Sequence, residues 1–123
     1  MIADVIYGES DWLPWATETM AQHIGEMNIN PIIYAELCCR AKNAQELDAI
    51  LAGLGFQYLE LPRQALFQAA QIFIRYCRQG GTRTSPLPDF FIGAHAAVLK
   101  IPLLTRDIAR YKTYFPSVTL ITP

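Results

Sequence analysis

Three carboxylates of this chain, Glu36, Asp89 and Asp107, stand where residue type and surroundings point to chemistry. Asp89 lies in Leu87-Pro88-Asp89-Phe90-Phe91-Ile92-Gly93-Ala94-His95-Ala96-Ala97-Val98-Leu99, which reads as a helix with Asp89 in its first turn. A tight connection and a short buried strand are expected next, from Ile101-Pro102-Leu103-Leu104-Thr105-Arg106-Asp107, with Thr105 and Asp107 delivered at the strand's carboxyl end. In an open α/β sheet, strand ends and the helix starts that follow them line the ligand-binding crevice. Asp89 and Asp107 are therefore expected to converge on one sheet edge. Glu36 is the single charge in the apolar run Ile32-Ile33-Tyr34-Ala35-Glu36-Leu37-Cys38-Cys39, where a carboxylate is costly to bury unless it is paired or ligated.

Carboxylates gathered in one crevice repel one another, which raises their pKa values unless a cation neutralises them. A donor set made only of oxygen suits Mg²⁺ or Mn²⁺. Such an ion activates water and stabilises the charge that builds on a phosphodiester as it is cut. Other chemistries lack their signatures: Ser10, Ser85 and Ser117 have no nucleophile-elbow context, and there is no glycine-rich phosphate loop. His95 falls on a different helix face from Asp89 and reads as packed, hydrogen-bonded core or as surface. Cys38, Cys39 and Cys77, with only two histidines in the chain, do not make a zinc spacing and read as buried small hydrophobes.

The elements that position these groups follow from local signals. Ser10 or Asp11 caps a helix with Pro14 in its first turn, and Trp12, Trp15/Ala16, Thr19/Met20 and Ile24 mark its buried face. Asn30 caps the Glu36 helix, with Pro31 at its first position. Asn43-Ala44-Gln45-Glu46 has the form of a capping box, opening a helix that ends near Gly53 or Gly55. Phe56 to Leu61 alternates as a strand. From Arg63 to Gln79 a helix is expected to bury Leu66, Ala69/Ala70, Phe73 and Tyr76/Cys77, and Gly80-Gly81 ends it. A short helix after Asp107 and a strand over Ser117 to Ile121 complete an alternation typical of a parallel sheet covered on both faces.

With 123 residues, 52% hydrophobic and 17% charged, the chain fits one domain over 1–123 with a well-buried core. No apolar run approaches the roughly 20 residues of a membrane span, and Met1-Ile2-Ala3-Asp4 carries no signal-peptide core. The cytoplasm is the expected compartment. Residues 1–63 balance to −6 and residues 64–123 to +5, so the second half can follow a phosphate backbone.

Three segments, in order over nearly the whole chain, carry a family likeness: Asn30-Pro31-Ile32-Ile33-Tyr34-Ala35-Glu36-Leu37, Leu87 to Ala96, and Leu103-Leu104-Thr105-Arg106-Asp107 with Arg110-Tyr111 and Tyr114-Phe115-Pro116. Together they resemble the PIN-domain family, and within it the VapC-like toxins. The resemblance implies a three-layer α/β/α sandwich with a mostly parallel sheet. It also implies a Mg²⁺- or Mn²⁺-dependent ribonuclease acting on RNA and held inactive by a small antitoxin. Position by position, Glu36, Asp89 and Asp107 match the family's metal-binding acids, and Thr105 matches a hydroxyl supporting the last of them.

The departure is at the front. The family opens with a strand ending in an aspartate, and aligning the Trp12 helix with its first helix places that strand before residue 1. A shorter reading makes Met1 to Tyr7 the strand and Asp4 the first acid. Absence of the first strand would expose two central sheet edges, so either Met1 to Tyr7 fills the gap or the chain self-associates, most simply as a homodimer. The missing acid also leaves a competing reading: a catalytically silent PIN-like binding module.

Overall fold

A computed structural model describes residues 13–84 and 86–123, so the readings placed on Met1 to Tyr7, Asp4 and the Ser10/Asp11 cap lie outside the described residues. The chain divides into two compact units, residues 1–60 with Pro123, and residues 61–122. Each is an α/β unit built on one parallel ladder, in keeping with the alternation of helices and short strands expected from the sequence.

In the first unit, helix α1 (Leu13–Gln22) buries Ala16, Thr19 and Met20. Ile24, expected on that face, is 65% exposed. The helix stops at Gln22 and residues 23–26 form a turn, so Ile24 lies beyond the helical stripe, and Gly25 at φ +84° then redirects the chain. Strand β1 (Asn28–Ile29) leads straight into α2 (Pro31–Cys38). Asn30 caps that helix as expected: the Ile33 N–H donates to its Oδ1 at 2.9 Å, and Pro31 occupies the first turn. Helix α3 (Ala44–Gly53) is capped likewise, with the Glu46 N–H donating to Asn43 Oδ1 at 2.8 Å.

Gly55, at φ +77°, turns the chain into β2 (Gln57–Tyr58), which pairs parallel to β1 with Asn28 opposite Gln57 and Ile29 opposite Tyr58. The core is Ile29, Leu37, Leu47 and Leu51, with Ile33, Tyr34, Ala41 and Phe56 packed around it. Leu47 and Leu51 are one helical turn apart, so α3 presents a single apolar stripe to α2 and the ladder.

In the second unit, α4 (Arg63–Arg78) and α5 (Pro88–Leu99) supply most of the core. That core contains Ala65, Ala69 and Ile72 of α4, and Phe90, Ala94 and Ala96 of α5. The buried stripe of α4 is thus rotated by about one residue from the expected one, and Leu66 is 40% exposed. The small side chains of Ala65 and Ala69, both at 0% exposure, are on the inner face, where close packing selects small residues over Leu66.

Lys100, in the left-handed region at φ 56° and ψ 42°, ends α5 and makes the tight connection to β3 (Leu103–Leu104). Strand β3 leads through Thr105 and Asp107 into α6 (Ile108–Tyr114), and β4 (Leu120–Ile121) returns parallel to β3. Among the described residues no third strand joins either ladder, and each strand spans two residues, shorter than the runs expected from alternation.

Two further expectations are corrected. All three cysteines are exposed: Cys38 and Cys39 lie at the end of α2, and Cys77 sits one residue off the stripe that runs through Ile72 and Tyr76. Glu36 is also exposed, because α2 is only eight residues long and buries Leu37 alone, so its apolar composition does not force its single charge inward.

Gly93 is required by packing and not by backbone conformation. A Cβ placed there would overlap the ring of Phe115, itself 2% exposed. Gly93→Ala gains about 1 kcal/mol of helix propensity but meets an overpacking cost of about 1–3 kcal/mol. A net loss of about 1 kcal/mol in urea unfolding is expected; a more stable variant would show that Phe115 yields freely.

Candidate functional site

Asp89 follows Pro88 in the first turn of α5, where proline is favoured and the helix dipole favours an anion. Its neighbour Phe90 is 0% exposed and anchors that turn in the core. The Asp89 carboxylate is engaged from α6: Arg110 Nη1 donates to Oδ2 at 3.0 Å, and the Tyr111 hydroxyl donates to Oδ1 at 3.4 Å. The ion pair is half-buried, with side chains 30% (Asp89) and 39% (Arg110) exposed.

Asp107 is the N-cap residue of α6, and its side chain makes no capping hydrogen bond. Its backbone N–H donates to Thr105 Oγ1 at 3.0 Å, while the Thr105 N–H donates to Ile121 O at 3.0 Å. Thr105 therefore ties the Asp107 turn to the β3–β4 ladder. Because Arg110 lies in the first turn of the helix that Asp107 opens, both second-unit acids are organised about the start of α6. Glu36 stands exposed on α2 of the first unit. Within each unit, among the described residues, no three His, Cys, Asp or Glu side chains form a cluster able to hold a metal ion.

The donors nevertheless suit a hard cation. They are carboxylate oxygens, and Mg²⁺ commonly uses only one or two of these beside water. In this structure one oxygen of the Asp89 carboxylate is taken by the Arg110 guanidinium. Arg110 and Tyr111 were parts of a matching segment with no role of their own in the sequence. No local signal links them to an acid 21 residues earlier; the three-residue step from Asp107 to Arg110 on a helix is the nearest hint.

His95 is 6% exposed, and burial lowers its pKa below the ordinary histidine value, in keeping with a packed core residue. The first unit contains a cavity of about 390 Å³ lined by Ile29, Tyr34, Asp48, Leu51, Phe56 and Tyr58. There the Tyr34 hydroxyl donates to Asp48 at 2.7 Å, and that bond, with burial and the Asp48 charge, pushes the phenol up to about 12. Tyr34 stays protonated at neutral pH and provides no base.

The sequence signature of the PIN domain matches residues 6–116, and the chain belongs to the PIN-domain family. Its fold is similar to a chain of the crystal structure of VapBC2 from Rickettsia felis bound to a DNA fragment from their promoter. That likeness has a TM-score of 0.69 at 19% identity and covers 99% of this chain and 92% of that one. A chain of the DNA-bound VapBC from Salmonella typhimurium matches with a TM-score of 0.66 at 22% identity, over 87% of this chain and 83% of that one. No curated protein matches the sequence. Among the described residues, no helix is long and apolar enough to cross a membrane.

Proposed function

We propose that this chain is a divalent-metal-dependent endoribonuclease of the VapC-like toxin type, acting as a single PIN-like domain over 1–123. The observation that carries the reading is the placement of two carboxylates at helix starts of the second unit, Asp89 in the first turn of α5 and Asp107 at the N-cap of α6. Family membership over 6–116, which runs through both units, supports it.

Asp89 and Asp107 are the acids that would hold Mg²⁺ or Mn²⁺, with Glu36 the third acid named by the family resemblance. The bound ion would supply an activated water and charge stabilisation for phosphodiester hydrolysis. Thr105 holds the Asp107 turn through its hydroxyl. The +5 charge of residues 64–123 would draw and orient the RNA backbone. By likeness to the VapBC structures, the partner is a small antitoxin that blocks the chain in the cytoplasm; self-association as a dimer belongs to the same reading.

A second reading is favoured by one observation. Asp89 already has a counter-ion within its own unit, as it would in a silent PIN-like binding module. Incubating the purified chain with a structured RNA, with Mn²⁺ or Mg²⁺ and with EDTA, separates the two. Cleavage that EDTA abolishes supports the nuclease, whereas metal-independent RNA binding without cleavage supports the module.

A further inference from the structure

We infer that Arg110 is a built-in counter-cation of Asp89, a positioning residue that holds the carboxylate in the metal-free chain and must release it when a divalent cation is loaded. The inference deepens the proposed nuclease reading and rests on it. Its basis is the 3.0 Å contact from Arg110 Nη1 to Asp89 Oδ2, with Tyr111 on the other oxygen at 3.4 Å. Both carboxylate oxygens are thus engaged by donors from consecutive residues of α6.

A guanidinium and a divalent cation sharing one carboxylate repel each other, and partial burial leaves that repulsion less screened than on an open surface. Arginine keeps its charge at any working pH, so the competition cannot be relieved by deprotonation. The guanidinium reaches Asp89 from a four-bond stem while its backbone is fixed in α6, so a rotamer change frees the carboxylate without moving either helix. The ion pair therefore keeps Asp89 oriented and neutralised until the cation concentration suffices to displace Arg110. Tyr111, 4% exposed, is anchored in the core and retains its hold on Oδ1.

The test measures Mn²⁺ affinity directly, by the paramagnetic resonance signal of free Mn²⁺ titrated with the full chain. Arg110→Gln is expected to tighten Mn²⁺ binding by about tenfold, the order that a charge-assisted hydrogen bond contributes. Arg110→Lys keeps the charge but loses the fork, and should tighten binding less. Damage to the fold would lower affinity, so an increase is a signature that a merely structural arginine would not produce. In an Asp89→Asn background, Arg110→Gln should have no effect, because the competition is over that carboxylate. If Asp89→Asn weakens Mn²⁺ binding but Arg110→Gln leaves it unchanged or weakens it, the counter-cation inference is overturned and the nuclease reading stands. If Asp89→Asn leaves Mn²⁺ binding unchanged, the metal-site reading fails and takes the inference with it.

Discussion

On the proposed nuclease reading, Asp89→Asn is expected to reduce metal-dependent RNA cleavage by about 10²–10³-fold, the usual consequence of removing one group that stabilises charge in the reaction. The substitution preserves shape and leaves an oxygen able to accept from Arg110 or Tyr111, so the fold should survive it. The lost ion pair is partly exposed on both sides, which limits the stability cost to roughly 1 kcal/mol or less. Cleavage rates under single-turnover conditions, beside a urea unfolding curve, separate the two effects. Full cleavage by the folded variant would remove Asp89 from the catalytic set and shift the assignment to Glu36 and Asp107.

Phe90→Ala carries the largest expected cost in stability. The side chain is 0% exposed, and its ring meets those of Tyr76 and Tyr114 edge-on at centroid distances of 5.6 and 5.3 Å. Truncation of a buried phenylalanine costs about 3–5 kcal/mol through lost transfer energy and the cavity left behind. Domains of this size are stable by only about 5–15 kcal/mol, so the second unit would be close to its unfolding threshold at room temperature. The urea midpoint should fall sharply with the slope unchanged. A loss below about 1 kcal/mol would mean that Tyr76 and Tyr114 collapse into the space, against the close packing that the ring geometry describes.

Both predictions concern a helix that could be read from its own residues. Pro88 and Asp89 mark its start, and the apolar run through Leu99 gives its length. The caps at Asn30 and Asn43 and the glycine stop after α4 were legible for the same reason: each is a bond or a backbone preference confined to about four neighbouring residues. The family segments also lay in plain view, and Thr105 sits against the Asp107 turn. The charge division between the halves was a matter of counting.

What lay beyond the sequence depended on a partner distant in the chain. The face of α4 that turns inward depends on what packs against it, and the fully buried Ala65 and Ala69 displaced the larger Leu66 that periodicity alone favoured. Exposure of Cys38, Cys39, Cys77 and Glu36 was hidden likewise, because hydrophobicity describes what a side chain would gain by burial and not whether a neighbour arrives to cover it. Strand lengths of two residues reflect where ladder partners stop, which alternation cannot register. The pairing of Asp89 with Arg110 was likewise decided by the tertiary structure. The sequence determined by itself that an acid would open α5 and that a basic residue would lie in α6; only the packing of those two helices brought the charges to 3.0 Å, because contacts across 21 residues are made by the fold and not by local preference.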